Sequence, residues 1–195
     1  MNKIIKVCLL MTVFFGSSIS YGQQWQSPQH SSDWGALFGG MLTTLLIHEG
    51  AHYAMAEYYG FDVDLDGVSI VYPGWEPTDS QKVRVASAGF QSQWLASELA
   101  FNRIQATEYR QFSQGVIAGH IVISLAYLTV LKDEETSDIY SISEATGRSR
   151  AELAWALMMP AVLDTMRLTM QSPPKWLKHV SIASKGLGIA ASWSF

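Results

Sequence analysis

Residues 34–60 read WGALFGGMLTTLLIHEGAHYAMAEYYG, in which an uncharged apolar run leads into the motif HEGAH. Residues four apart lie on one face of an α-helix, so a helix here directs His48 and His52 to the same position while Glu49 stands beside them. This HExxH spacing is typical of a zinc site with its general base attached. The stretch therefore predicts a long helix over residues 34–59, ending at Gly60, that carries the candidate site.

The first 22 residues have the features of an export signal: a basic start, a short apolar run and the small-x-small sequence Ser20-Tyr21-Gly22. They predict export to a bacterial-type cell envelope, and the alternative is an uncleaved N-terminal membrane helix. The single cysteine, Cys8, lies in this segment. Because the chain after residue 22 has no thiolate, zinc would have to be held by histidine and carboxylate side chains.

Composition narrows the class of partner. The net charge of −4 and the scattered Lys and Arg residues give no basic footprint, so nucleic acid is not predicted as a partner. The chain is 48% hydrophobic and 15% charged, which is apolar for a soluble protein. Residues 111–131 carry no formal charge, and a run of this length can cross a bilayer. We expect an integral protein of a cell-envelope membrane, in contact with lipid; the alternative is a periplasmic or secreted protein.

Four further segments complete the predicted fold. Residues 83–104 and 150–170 are expected to be helices, the second opened by a capping box of Ser149 and Glu152. Residues 61–72 alternate apolar and acidic side chains around an Asp-Gly pair, which predicts a β-hairpin. The prediction is a mainly α, multi-helix, membrane-associated domain over residues 23–172 with a small hairpin after the HExxH helix. In the tail, residues 173–195, alternation around Lys185-Gly186 predicts a second β-hairpin.

A catalytic zinc ion usually has three protein ligands and an open position, so one ligand besides the two histidines is needed. Asp164 is the first candidate, because a carboxylate within an apolar helix is costly unless it is paired or bound to metal. An ion pair with Arg167 is the alternative explanation. Glu98, on the next predicted helix, is the second candidate, and His120, alone on the most apolar helix, is the third. Asp138 is interpreted as a cap at the start of a short helix.

Three stretches together resemble the site-2 protease family of intramembrane zinc metalloproteases. The HExxH helix matches the first family motif. Ala88-Gly89-Phe90-Gln91-Ser92-Gln93 is similar to the family segment A-G-P-x-x-N, and Pro160-Ala-Val-Leu-Asp164-Thr-Met-Arg167 is similar to the region in which an Asp serves as third zinc ligand. The likeness covers residues 34–170. It implies a helical membrane domain that holds Zn²⁺ with His48, His52 and Asp164.

The resemblance also implies a reaction. Zinc would activate water, Glu49 would act as general base, and the substrate would be a membrane-associated peptide or a membrane protein. Two alternatives stay open from the sequence. One is an exported peripheral zincin with Glu98 as third ligand, and the other is a metal-binding envelope protein without catalytic activity.

Overall fold

The computed structural model describes residues 25–66, 69–104 and 107–195. The predicted export signal and Cys8 lie outside these residues. The described part is mainly helical, which confirms the predicted class. Its elements in chain order are α1 (Ser31–Tyr58), β1 (Asp64–Asp66), β2 (Ser69–Val71), α2 (Asp79–Arg103), a 3-10 turn (Thr107–Tyr109), α3 (Arg110–Ala126) continued by a π-helical turn (Tyr127–Leu131), α4 (Asp138–Thr146), α5 (Arg150–Thr169) and α6 (Lys175–Trp193).

The HExxH helix, α1, has defined ends. At its start the Asp33 carboxylate accepts hydrogen bonds from the Gln29 and His30 backbone N–H groups at 2.9 and 3.0 Å. At its end the Gly60 N–H bonds the Glu57 carbonyl and the Phe61 N–H bonds the Ala56 carbonyl. This pair of bonds is a Schellman motif, with Gly60 at the position predicted for it.

The chain after α1 forms the predicted small hairpin. Strands β1 and β2 are antiparallel, with Asp64 opposite Val71, Leu65 opposite Ile70 and Asp66 opposite Ser69. The hairpin leads into α2, whose N-terminus is closed by a capping box of Thr78 and Gln81. Such a cap typically contributes about 1 kcal/mol to helix stability.

Helices α1 and α3 pack with their backbones in close contact. A Cβ atom added to Gly40 or Gly115 would overlap backbone atoms of the opposite helix, so these two glycines permit the approach. The Thr44 hydroxyl also donates a hydrogen bond across the interface to the Val116 carbonyl at 2.9 Å. This packing aligns the HExxH helix with the most apolar helix of the chain.

Among the described residues, one helix, Arg110–Leu131, has the length and composition needed to cross a membrane. Within its most apolar stretch, 61% of the residues are buried inside the protein. The central helix of a protein that spans no membrane has the same properties. The length and composition of this helix therefore match those predicted for residues 111–131.

The main core lies where α2, α3 and α5 meet. Its buried members include Phe101, Ile104, Ile117, Ile121 and Leu168. Helix α5 begins with the predicted capping box, in which Ser149 and Glu152 each bond the other's backbone N–H. Residues from three helices that are far apart in the sequence thus pack into one core.

The tail does not form the predicted second hairpin; residues 175–193 are the helix α6. Its buried positions are Leu177, Ser181 and Lys185, which recur every four residues and so line one face of a helix. The alternation of apolar and small residues was misleading because Lys185 is a buried position and its ammonium group bonds carboxylates inside the protein.

Candidate metal centre

His48, His52 and Asp138 lie together at the junction of α1 and α4. His48 Nε2 and His52 Nε2 are each 3.2 Å from the same oxygen, Oδ2 of Asp138. Both imidazoles are buried, with 1% and 4% of their surface exposed. Within residues 25–66, 69–104 and 107–195, this is the one group of three His, Cys, Asp or Glu side chains whose candidate ligand atoms all lie within 4.8 Å of one another.

Hydrogen bonds from α2 orient both imidazole rings. His52 Nδ1–H donates to the Val85 carbonyl at 2.7 Å, and His48 Nδ1–H donates to the Gln93 side-chain oxygen at 3.2 Å. Because each Nδ1 is engaged by an acceptor, both Nε2 atoms point to the centre, where they contact Asp138 and could bind a metal ion once deprotonated. Second contacts of this kind fix the tautomer and orientation of metal-binding histidines.

Asp138 is brought to the pair by two neighbouring residues. The Ser137 hydroxyl, and not Asp138, caps helix α4 by accepting the Tyr140 N–H at 3.2 Å. The Tyr127 hydroxyl donates to Asp138 Oδ2 at 2.5 Å and holds the carboxylate towards the imidazoles. Burial opposes ionisation of Asp138, but the two imidazoles outweigh burial and hold the pKa of Asp138 well below its usual value.

Gly89 of α2 packs directly against the two imidazoles. A Cβ atom at this position would lie 2.6 Å from His48 Nε2 and closer still to His52 Nε2. Phe90, the next residue, stacks edge-on against His48 with ring centroids 5.3 Å apart. Because Gly89 has no side chain, the space between the two Nε2 atoms is free. The Phe90 ring makes one side of the centre apolar.

Glu49 lies beside the three candidate ligands. It interacts electrostatically with His48, His52 and Asp138, and it is only partly buried. Its carboxylate has no hydrogen bond or ion pair to any residue that the structure describes. A carboxylate without a partner next to a cluster of metal ligands is free to accept a proton from water.

Tyr72, which directly follows β2, lies near the candidate metal centre, where it interacts electrostatically with Asp138 and Glu49. Burial and the negative charges of Asp138 and Glu49 raise the pKa of the Tyr72 hydroxyl above its ordinary value. The hydroxyl therefore stays protonated and is a hydrogen-bond donor at any physiological pH.

The donor set fits a divalent metal ion. Two imidazole nitrogens and one carboxylate oxygen are the ligands that zinc takes in catalytic sites. In a tetrahedral site with metal–ligand distances of about 2.0 Å, neighbouring ligand atoms are about 3.3 Å apart, close to the 3.2 Å found here. His52 Nε2 is buried and makes no hydrogen bond. An ion bound by the three side chains would bind this atom as a ligand, in place of its 3.2 Å contact with Asp138 Oδ2.

The structure does not bring Asp164 to the histidine pair. Its carboxylate accepts hydrogen bonds from Lys185 Nζ at 2.6 Å, Ser181 Oγ at 2.6 Å, Arg167 Nη1 at 3.0 Å and Ser97 Oγ at 3.1 Å. The ion pair with Arg167 that the sequence offered as the alternative is present. With two cations and two hydroxyls on one buried carboxylate, its lone pairs are already engaged, and Asp138 stands where Asp164 was expected.

Glu98 and His120, the other sequence candidates for the third ligand, belong to the same separate cluster as Asp164. Glu98 forms ion pairs with Arg167 and Lys185, both at 2.5 Å. His120 is fully buried, with Nε2 3.6 Å from the Asp164 carboxylate. Neither side chain lies within ligand distance of both His48 and His52.

The sequence pattern singled out His48, Glu49 and His52, whereas Asp138 was interpreted only as a cap and Tyr127 was given no role. One signal pointed to Asp138: Ser137 before it already provides the cap, which leaves the Asp side chain free for another task. No local signal marks Tyr127, since a tyrosine at the end of an apolar helix is common.

Comparisons with protein-family models, curated proteins and solved structures find no match to this chain. The function of the chain is therefore inferred from the geometry of His48, His52, Asp138 and Glu49.

Proposed function

We propose that the protein is a zinc-dependent endopeptidase of the cell envelope, in which His48, His52 and Asp138 hold the ion and Glu49 is the general base. The observation that carries the proposal is the convergence of both Nε2 atoms on one Asp138 oxygen, with the carboxylate of Glu49 beside them and without a hydrogen bond or ion pair to any described residue. A structural histidine pair would not require that neighbouring carboxylate.

Each residue then has a chemical role. A zinc ion held by these three ligands would lower the pKa of bound water and polarise a peptide carbonyl. Glu49 accepts the proton of the attacking water and returns it to the leaving amine. The protonated Tyr72 hydroxyl donates a hydrogen bond to the negative oxygen that develops from the carbonyl. Tyr127 and Gln93 position Asp138 and His48 without touching the substrate.

An extended peptide is the substrate class that the surroundings favour. The two-stranded sheet of β1 and β2 has free edges among the described residues, and an extended chain can pair with such an edge through its backbone. Tyr72 follows β2 directly, so a peptide added to this sheet would run towards the candidate centre.

Exposed apolar stripes support a membrane location, with Arg110–Leu131 as the spanning segment. On α1, Phe38, Leu42 and Leu46 are all more than half exposed and recur every four residues, so they form one stripe. Leu95 and Leu99 continue the pattern on α2. Large apolar side chains arranged in stripes on outward faces are costly in water and favourable against lipid.

The proposal is tested on the full chain, purified in a nonionic detergent. Zinc per chain is measured for wild type, His48→Ala, Asp138→Asn and Asp164→Asn, and hydrolysis is measured with a library of quenched-fluorescent apolar peptides. We expect about one zinc per chain, lost in His48→Ala and Asp138→Asn and retained in Asp164→Asn wherever that variant folds. Loss of zinc in a folded Asp164→Asn variant with retention in Asp138→Asn would refute the assignment of Asp138.

The catalytic step has its own test. Glu49→Gln should retain zinc and lose at least 100-fold of the hydrolysis rate, because it removes the general base and leaves the ligands intact. Glu57→Gln, an exposed glutamate on the same helix, is the matched control and should retain both. Hydrolysis by Glu49→Gln at the wild-type rate would contradict the mechanism. If the wild type binds zinc but neither it nor any variant hydrolyses a peptide, the protein is a metal-binding envelope protein without catalytic activity.

A further inference from the structure

A groove of about 280 Å³ lies between α1, α2 and α3. Most of its lining is apolar, and it includes Ile47, Ala96, Leu99, Phe112 and Val116. Its volume lies just below the range of pockets for drug-sized ligands, so a slender ligand fits it best.

The groove runs from the HExxH motif towards the end of α2. Ile47 immediately precedes His48, and its carbonyl accepts a hydrogen bond from the Ser92 hydroxyl at 3.2 Å. This bond places the start of the HExxH motif beside Ser92 of α2. Arg103, which also lines the groove, is eleven residues further along α2, a distance of about 16 Å in a helix. One end is therefore apolar and close to the candidate centre, and the other carries a guanidinium group.

The Arg103 guanidinium is available to a ligand. It is exposed and has no hydrogen bond or ion pair with any residue described in the structure. A second guanidinium, that of Arg110, is anchored nearby through its Nε, which donates to the Ile104 carbonyl at 3.3 Å. Charge complementarity calls for an anion at this end of the groove, and arginine suits phosphate because of its planar, multiple donors.

We propose that this groove binds one acyl chain of an anionic phospholipid, with the phosphate on Arg103 and the chain extending towards Ile47. A peptide is a poorer occupant, because the walls are helices whose backbone groups are already bonded and the apolar lining offers few donors or acceptors. The inference rests on the proposed membrane location, since a bilayer supplies this ligand. A chain bound there would end near Ile47, the residue before the first histidine of the candidate metal centre.

The test uses the full chain in a nonionic detergent, titrated with lysophosphatidylglycerol and followed by native mass spectrometry. We expect one lipid per chain, held at least tenfold more tightly than lysophosphatidylcholine of the same chain length. Arg103→Gln should remove this preference by weakening the anionic lipid about tenfold, because a charge-assisted hydrogen bond is lost. Arg148→Gln, at another exposed arginine, is the matched control and should bind as wild type does.

A second variant tests the apolar part of the groove. Ala96→Phe places a ring in the groove and should abolish binding of both lysolipids. Wild-type affinity in Arg103→Gln or Ala96→Phe, equal affinity for the two lysolipids, or tighter binding of a free fatty acid would each overturn the proposal. Zinc content, measured on the same samples, reports separately on the metal centre and shows whether each variant is folded.

Discussion

Gly89→Ala should disrupt the candidate metal centre without adding any charge or polar group. The new Cβ would lie 2.6 Å from His48 Nε2, whereas ordinary contacts begin at 3.4 Å. The ring must therefore move by about 0.8 Å, the difference between these two distances. Metal–ligand distances tolerate about 0.2 Å, and both rings are also held by hydrogen bonds to Val85 and Gln93. We expect zinc affinity to fall at least 100-fold, which corresponds to about 2.7 kcal/mol.

The assay is a competition titration of purified protein against a fluorescent zinc chelator, with helicity measured in parallel by circular dichroism. Gly50→Ala is the matched control: it lies inside the same motif, and a Cβ there meets no atom within 4 Å. In a helix interior, Gly to Ala is otherwise stabilising by about 0.5 to 1 kcal/mol, so loss of binding in Gly89→Ala could not be assigned to helix propensity. Wild-type zinc affinity in Gly89→Ala would refute the position assigned to the ion.

Three further outcomes follow from the same geometry. Tyr127→Phe should weaken zinc binding by about 10- to 100-fold, because Asp138 loses the hydroxyl that orients it; an unchanged affinity would exclude that role. In denaturant titrations, Asp164→Asn should lower the free energy of unfolding by about 3 kcal/mol, since it leaves Lys185 buried with a weakened partner. The control is Asp133→Asn, whose side chain is 64% exposed and which should change the free energy of unfolding by less than about 1 kcal/mol. The depressed pKa of Asp138 means that its carboxylate stabilises the metal-free protein above about pH 4 and loses this effect as the pH falls below that value. The difference in melting temperature between metal-free wild type and Asp138→Asn should therefore shrink on going from pH 7 to pH 3, and a constant difference would contradict it.

Local patterns predicted the helices of this protein well. The HExxH helix, its end at Gly60, the hairpin after it and the capping box of Ser149 and Glu152 each depend on residues close together in the chain. Spacing along a helix and bonding at its ends are properties of a few consecutive residues, so the sequence carries them directly. The prediction of a hairpin in the tail was wrong because the pattern there fits both the strand period and the helix period. The tail is a helix that packs against α2 and α5.

The carboxylate that joins the two histidines shows why contacts between distant residues are harder to predict. Asp164 and Asp138 are both acidic residues far from the motif in sequence, and both are expensive to bury. Only their surroundings distinguish them, because Lys185 and Arg167 occupy the first while the two imidazoles and Tyr127 surround the second. The family motif that contains Asp164 covers only nearby residues. It therefore gave no sign that Lys185, from the last helix, pairs with Asp164.

The sequence by itself determined the two histidines, the glutamate between them and the helix that presents both histidines on one face, since a four-residue spacing is fixed by helix geometry. The tertiary structure alone decided which carboxylate completes the group, which carbonyl and amide orient the imidazoles, and where the free guanidinium lies relative to the apolar groove. Those contacts join residues 33 to 90 positions apart. Their distances depend on how the helices pack, and packing is set by the whole core and not by any one segment.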